Sequence, residues 1–155
     1  MLNPKFAEYV AELPLLTEGL LRSVPLSIEQ ISTLDMPGLY SFSENGQVLY
    51  IGRTKNFRNR HKNHCDEKSG ENSAAFAFIL AWQKTGNFHA SYSKAGSRKA
   101  LMKDPAFNAA FQQAKADIRK MEVRFVEVSD HKLQHLLELY ASMKLKSAHN
   151  KFETS

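Results

Sequence analysis

The chain has 155 residues, of which 43% are apolar and 24% are charged. This composition is close to the average of globular domains, so a disordered or fibrous protein is excluded. Lys and Arg outnumber Asp and Glu by 21 to 16, and the resulting net charge of +5 favours a polyanionic partner.

Cysteine content and the length of apolar runs indicate where the protein resides and whether it spans a membrane. The single cysteine, Cys65, allows no intramolecular disulfide, which fits a reducing compartment. No stretch approaches the roughly 20 apolar residues that a membrane span needs. We therefore expect a cytoplasmic protein without a membrane partner.

The N-terminal segment, residues 4–34, is predicted to form one or two short helices that pack on the core. Its apolar residues recur at helical spacing from Phe6 to Leu21. Pro14 and Pro25 are expected to break this pattern, because proline lacks the backbone N–H that a helix interior uses.

Two aromatic-rich runs, LYSF and QVLYI, follow on either side of Asn45-Gly46, which is a strong hairpin signal. If these two residues alone form the loop, Tyr40 and Tyr50 lie on opposite faces. If Glu44 joins them in a three-residue loop with a bulge at Gly46, Tyr40 pairs directly with Tyr50. We expect the second register.

The remaining chain is predicted to hold four helices and one strand. A short basic helix begins after Thr54 or Asn56, and further helices cover residues 74–83 and 105–120. MEVRFVEV alternates as a third strand, and Asp130 begins the last helix, which runs to about residue 146. KTGNFHASYSKAGS is expected to be a polar loop or a short extended piece. The order predicts an α+β fold in which a small three-stranded, largely antiparallel sheet is flanked by helices.

A set of motifs points to a family. Gly38-Leu39-Tyr40 and Tyr50-Ile51-Gly52 are followed by Arg60 in the basic helix, and Glu138 and Asn150 come later. This ordered set resembles the GIY-YIG nuclease domain, whose fold is a three-stranded sheet flanked by helices. In that family an Arg, a helical Glu and a final Asn complete the site, and Arg60, Glu138 and Asn150 match them in order.

The resemblance implies a catalytic set and supporting residues. The catalytic set is Tyr40, Tyr50, Arg60, His64, Glu138 and Asn150, where His64 matches a His of several subgroups. The glycines expected to be structural are Gly38, Gly46 and Gly52. A basic rim that suits substrate phosphates surrounds Arg60 and consists of Arg53, Lys55, Arg58 and Lys62. Such contacts give affinity and not sequence choice.

The chemistry of phosphodiester hydrolysis explains these residue types. Glu138, with waters and substrate oxygens, suffices to hold Mg²⁺ or Mn²⁺. Arg60 is expected to grip the scissile phosphate with its planar guanidinium. Tyr50 is expected to act as general base or hydrogen-bond organiser, and the base role needs a cation that lowers the phenol pKa from about 10. Because Glu138 shares a polar helix face, Glu127 and Glu122 are alternative metal ligands.

The predicted function is a metal-dependent endonuclease that acts on nucleic acid, with DNA favoured. Two alternatives stay open: a catalytically weak or inactive nucleic-acid-binding module, and a nuclease domain that a protein partner delivers to its substrate. We expect one domain over residues 1–155, made of a helical extension (1–36), a hairpin and basic helix of the nuclease core (37–64), a helical insertion (65–120) and the last strand and helix of the core (121–150).

Overall fold

The computed structural model describes residues 1–86 and 97–152. Within these residues the chain forms two compact units, one of residues 1–60 and 122–152 and another from the described part of 61–121. The predicted loop KTGNFHASYSKAGS lies largely outside the described residues. The boundaries expected for the N-terminal extension and the helical insertion stay a prediction.

The first unit is built on a three-stranded antiparallel sheet, as the sequence predicts. Strands β1 (Gly38–Glu44), β2 (Gln47–Thr54) and β3 (Glu122–Glu127) lie in the order β2-β1-β3. Strand β2 is therefore at one edge. The two faces of the sheet carry different residues: Leu39 and Ile51 belong to one apolar core, while the Tyr40 ring packs against Phe57 on the other face.

Helices α1 (Pro4–Arg22), α2 (Ile28–Ile31) and α7 (His131–Lys144) complete the first unit. The Asp130 side chain caps α7 and also accepts a 2.5 Å hydrogen bond from the Tyr9 hydroxyl of α1. Both helices contribute to the core on the Leu39 face, whose buried members are Tyr9, Leu13, Leu20, Leu39, Ile51, Val128, Leu133, Leu137 and Ala141.

The expected break at Pro14 is wrong, because α1 continues through it. Pro14 is exposed, while Leu13 before it and Thr17 and Leu20 after it are buried on the side that faces the core. The missing hydrogen bond thus falls on the solvent side, where water can bind the freed carbonyl. Packing of the buried stripe on both sides of Pro14 outweighs the local cost.

The hairpin register differs from the expected one. Asn45 and Gly46 alone form the loop, with φ values of 52° and 78° that indicate a type I′ turn. A bulge at Leu49 then shifts the pairing, so that Ser43 faces Val48 but Phe42 faces Tyr50. The direct pair of Tyr40 with Tyr50 was therefore wrong, since Tyr40 faces Gly52. The shared face is nevertheless present, because the bulge turns Tyr50 back to the face of Tyr40.

The second unit is helical. Helix α3 (Phe57–Cys65) begins in the first unit and its end belongs to the second, which also holds α4 (Ala75–Thr85), α5 (Arg98–Leu101) and α6 (Pro105–Arg119). The predicted helices over 74–83 and 105–120 agree with α4 and α6 to within two residues at each end. The fully buried phenylalanines of the second unit are Phe76, Phe78, Phe107 and Phe111.

A buried lysine fixes the chain of the second unit. Lys115 of α6 is 1% exposed, and its amine donates 2.9 Å hydrogen bonds to the carbonyls of Asp66, Glu67 and Ser69. Its three protons are thus used by backbone acceptors.

Over the described residues, no helix combines the length and apolarity needed to cross a bilayer.

Candidate active site

Tyr40 and Arg60 form the centre of the candidate site. The Tyr40 ring on β1 is 1% exposed, and its hydroxyl accepts a 3.1 Å hydrogen bond from Nε of Arg60 on α3. Asn56 holds the start of α3, because its Oδ1 accepts from the backbone N–H of Asn59 at 3.0 Å. The helix therefore begins at the position that brings Arg60 to the sheet one turn later.

Tyr50 joins this pair from β2. Its ring lies 6.4 Å from the Tyr40 ring, and Arg60 also hydrogen-bonds to the Tyr50 hydroxyl. Burial raises the pKa of Tyr50 above its ordinary value, and the nearby Arg60 charge offsets only part of this rise. Burial raises the pKa of Tyr40 as well. The protein's own residues therefore keep both phenols protonated at neutral pH, where each hydroxyl can donate a hydrogen bond.

Glu138 enters the site from α7. Its Oε2 accepts a 3.2 Å charge-assisted hydrogen bond from Nε of Arg53 on β2. Burial raises the pKa of Glu138, while the charges of Arg53, His135 and Arg60 oppose that rise. The negative charge of Glu138 also contributes to the raised pKa of Tyr40 and of Tyr50. Helix α7 packs on the Leu39 face and the tyrosines occupy the other face, so Glu138 lies at edge strand β2, where it contacts Arg53 and its charge acts on the tyrosines.

Asn150 binds the edge of β2. Its side-chain oxygen accepts a 2.7 Å hydrogen bond from the Ile51 N–H, and its side-chain nitrogen donates a 2.6 Å bond to the Ile51 carbonyl. Just before it, the N–H groups of Ala148 and His149 donate to the carbonyls of Val48 and Leu49. The Asn150 amide thus substitutes for a neighbouring strand next to Tyr50, and its described contacts are with backbone.

Residues 36–104 match the family model described as the GIY-YIG catalytic domain. Residues 36–104 are therefore similar to a GIY-YIG catalytic domain. This range includes both triplets and Arg60.

A solved structure is also similar to the chain. The structure is the GIY-YIG N-terminal endonuclease domain of UvrC from Thermotoga maritima, a point mutant bound to its catalytic divalent cation. It is 14% identical in sequence, with a TM-score of 0.37 over 88% of this chain and 94% of that one. No curated protein matches the chain significantly.

Two glycines of the GIY-YIG motif are required by close packing. A β-carbon on Gly52 would overlap the Tyr40 hydroxyl and ring, and one on Gly38 would overlap the Val126 carbonyl and the Phe125 ring. Gly46 has a different role, since its φ of 78° belongs to the turn. The first two glycines therefore allow the sheet and the Tyr40 ring to pack closely.

The other residues expected in the site occupy different surroundings. His64 is fully buried, so a phosphate cannot contact its ring in this structure. In the basic rim, Arg58 pairs with Asp35 at 2.9 Å, and Lys62 lies 4.0 Å from Asp66 in the second unit. Lys55 is exposed. The roles of these residues stay predictions.

The donor set fits a hard divalent cation. Oε1 of Glu138 accepts no hydrogen bond from any residue in the described ranges, so one carboxylate oxygen is available. Residues 1–86 and 97–152 contain no group of three or more His, Cys, Asp or Glu side chains that could hold a metal. A cation at Glu138 would need waters and substrate oxygens as further ligands, which is the coordination that Mg²⁺ accepts. Of the alternative ligands, Glu122 pairs with Arg124 and Glu127 is exposed on β3, the other edge of the sheet.

Sequence reasoning places Gln134 and His135 on the polar face of Glu138 but assigns them no role. His135 lies three residues earlier on α7 and lowers the pKa of Glu138 electrostatically. Its Nδ1 lies 2.7 Å from the His131 carbonyl oxygen. Gln134 is 1% exposed and donates to the carbonyls of Val128 and Thr54. Helical spacing from Glu138 is the signal that could have found His135. Gln134, four residues before Glu138, has the same helical spacing, but only the fold supplies its backbone acceptors.

Proposed function

We propose that the protein is a metal-dependent endonuclease that hydrolyses phosphodiester bonds of DNA. The observation that carries this proposal is the convergence of Tyr40, Tyr50, Arg60 and Glu138 from β1, β2, α3 and α7. These groups combine a cation for phosphate, two phenol donors and one carboxylate; Tyr40, Tyr50 and Arg60 lie within the range that matches the GIY-YIG catalytic domain. The net charge of +5 fits a polyanionic substrate.

In this proposal each side chain has a distinct task. Arg60 binds the scissile phosphate, and its charge stabilises the negative charge that develops on the phosphate oxygens. Tyr50, which burial keeps protonated, donates a hydrogen bond that orients the phosphate or the attacking water. Tyr40 holds the Arg60 guanidinium from the interior of the sheet. Of the two roles expected for Tyr50, the raised pKa favours hydrogen-bond organiser over general base.

Glu138 would hold the divalent cation through its carboxylate. A bound Mg²⁺ or Mn²⁺ supplies Lewis-acid stabilisation of the phosphate and lowers the pKa of a bound water. The pair of Glu138 and Arg53 leaves the carboxylate at the edge of β2, where substrate oxygens can complete the coordination.

The test is a nicking assay on supercoiled plasmid with Mg²⁺ or Mn²⁺. Arg60→Ala and Glu138→Gln are each expected to lose about 10²–10³-fold in rate, the range for loss of one transition-state stabiliser. Glu127→Gln is the matched control, since it removes a carboxylate from an exposed position on β3, and it should cut at the wild-type rate. Equal rates in all four proteins would refute the assignment.

The same proteins separate the alternative functions. Binding of DNA that weakens with salt, without cleavage under any cation, would instead support the catalytically weak binding module. Cleavage of an RNA duplex in preference to DNA would correct the substrate. Cytoplasmic location and a protein partner stay predictions.

A further inference from the structure

Arg53 contacts the residue that the proposed function assigns to the metal. It follows the second triplet directly, and its Nε lies 3.2 Å from Oε2 of Glu138. The Arg53 side chain is 41% exposed and that of Glu138 is 19% exposed, so the arginine covers the carboxylate while remaining open to solvent itself. Among the described residues this is the ion pair that Glu138 makes.

The register of β2 explains why Arg53 reaches Glu138. Arg53 pairs with Leu39, so its side chain leaves the sheet on the face that α7 covers, whereas Tyr50 points to the other face. A second arginine nearby has a different partner, because Arg58 on α3 pairs with Asp35. The contact with Glu138 is therefore specific to the position of Arg53 on β2.

The Arg53 guanidinium and a divalent cation compete for the Glu138 carboxylate. A guanidinium bound to Oε2 neutralises part of the charge that would attract a divalent cation, and it occupies one of the two carboxylate oxygens. A DNA phosphate is also a strong acceptor for arginine and can bind a guanidinium in a bidentate manner. A phosphate that draws Arg53 away would expose Oε2 beside the Oε1 that no described residue occupies.

We propose that Arg53 is a positioning residue that holds Glu138 in the free protein and exchanges it for a DNA phosphate, so that DNA binding increases the affinity of Glu138 for the divalent cation. This inference rests on the proposed function, because it takes Glu138 as the cation ligand. By thermodynamic reciprocity the cation also tightens DNA binding. The exchange favours cation binding in the presence of substrate and disfavours it in the free protein.

The experiment measures Mn²⁺ affinity of the full chain with and without a short DNA duplex, by the electron paramagnetic resonance signal of free Mn²⁺. A titration of the duplex alone corrects for Mn²⁺ that DNA binds, and gel analysis of the recovered duplex shows whether it was cut. Arg53→Gln removes the pairing charge. Arg22→Gln is the matched control, since it removes an equal charge on α1 whose partner is Glu18 at the same distance of 3.2 Å.

Without DNA, Arg53→Gln is expected to bind Mn²⁺ about two- to fivefold more tightly than wild type, the range expected for release of a partly exposed ion pair. The increase in affinity that DNA causes should shrink by the same factor in this variant. Arg22→Gln should match wild type in both respects. On a Glu138→Gln background, Arg53→Gln should change nothing, because the carboxylate is gone.

Two results would overturn the exchange. One is equal Mn²⁺ affinity in wild type and Arg53→Gln without DNA, and the other is an unchanged DNA effect in Arg53→Gln. If either occurs while plasmid nicking still depends on Glu138, the exchange is wrong and the proposed function stands. If Glu138→Gln alters neither Mn²⁺ binding nor nicking, the proposed function itself fails.

Discussion

The two units of the chain each hold a cation, buried in the second unit and half-buried in the first, and they bind it in different ways. In the second unit Lys115 donates to three backbone carbonyls. In the first unit Arg60 contacts the hydroxyls of Tyr40 and Tyr50, with the Glu138 carboxylate close enough to act on all three. A lysine bound to backbone fixes a loop. An arginine that is held by side chains beside a half-buried carboxylate is not needed to stabilise the fold, and such a cluster of ionisable groups is typical of a functional site.

The largest expected difference between the units comes from removing each cation. Arg60→Met should lower the nicking rate about 10²–10³-fold. Lys115→Met should leave the rate per folded molecule at low temperature unchanged, and should lower the free energy of unfolding by about 2 kcal/mol, because three carbonyls lose their donor. Nicking kinetics and urea unfolding on both variants test this. Equal loss of activity in the two variants would break the comparison.

Packing around the two cations can be tested with glycines. Gly52→Ala places a methyl group into the Tyr40 ring and should lower the free energy of unfolding by about 3 kcal/mol. Gly70→Ala in the second unit meets nothing within 4 Å and should be nearly neutral. Urea unfolding of both variants measures the difference, and a small effect at Gly52 would show that the Tyr40 ring can move.

Asparagines provide a weaker version of the same test. Asn150→Ala removes two hydrogen bonds to Ile51 and should cost about 2 kcal/mol, together with part of the nicking activity, because β2 positions Tyr50. Asn108→Ala removes one hydrogen bond, to the Met102 carbonyl in the second unit, and should cost about 1 kcal/mol without loss of activity. A full rate in Asn150→Ala would show that β2 keeps its place without the amide.

Alkaline pH should affect the first unit through its phenols. The pKa of Tyr40 is raised by burial, so its contribution to stability is complete below pH 10 and is lost as the pH rises toward the folded pKa. Between pH 9 and pH 11 wild type should lose about 1.4 kcal/mol through this residue. Tyr40→Phe should lose correspondingly less over the same interval. Urea unfolding at both pH values measures the difference, and parallel losses would contradict the role of burial.

Most of the fold follows from local patterns. Periodicity and caps at Asp104 and Asp130 predict α6 and α7, and alternation predicts β3. The exceptions are tertiary. Pro14 lies within α1 because packing extends on both sides of it. The register of the hairpin depends on a bulge at Leu49, beside the place where residues 148–150 bind β2, and loop chemistry at Asn45-Gly46 contains no information about that contact.

The candidate site residues that belong to a motif could be named from the sequence. The contacts between residues that are distant in the sequence could not. Tyr40, Tyr50 and Arg60 are in contact, and the charge of Glu138 acts on them, while their membership of one catalytic site stays a prediction. The polar face around Glu138 looked solvated because helical periodicity counts apolar residues and ignores backbone acceptors at the end of a strand. The contact of Arg53 with Glu138 joins residues 85 positions apart, and only the fold could reveal it.

The binding of residues 148–150 along β2 has a consequence for biosynthesis. Ile51 and Asn150 are 99 positions apart, so at about 5–20 residues per second the ribosome needs roughly 5–20 s to supply the partner of this edge. During that interval an exposed hairpin edge with two neighbouring tyrosines can pair with another nascent chain. The binding of residues 148–150 to β2 thus completes the candidate site and, at the same moment, protects the exposed edge of the hairpin from aggregation.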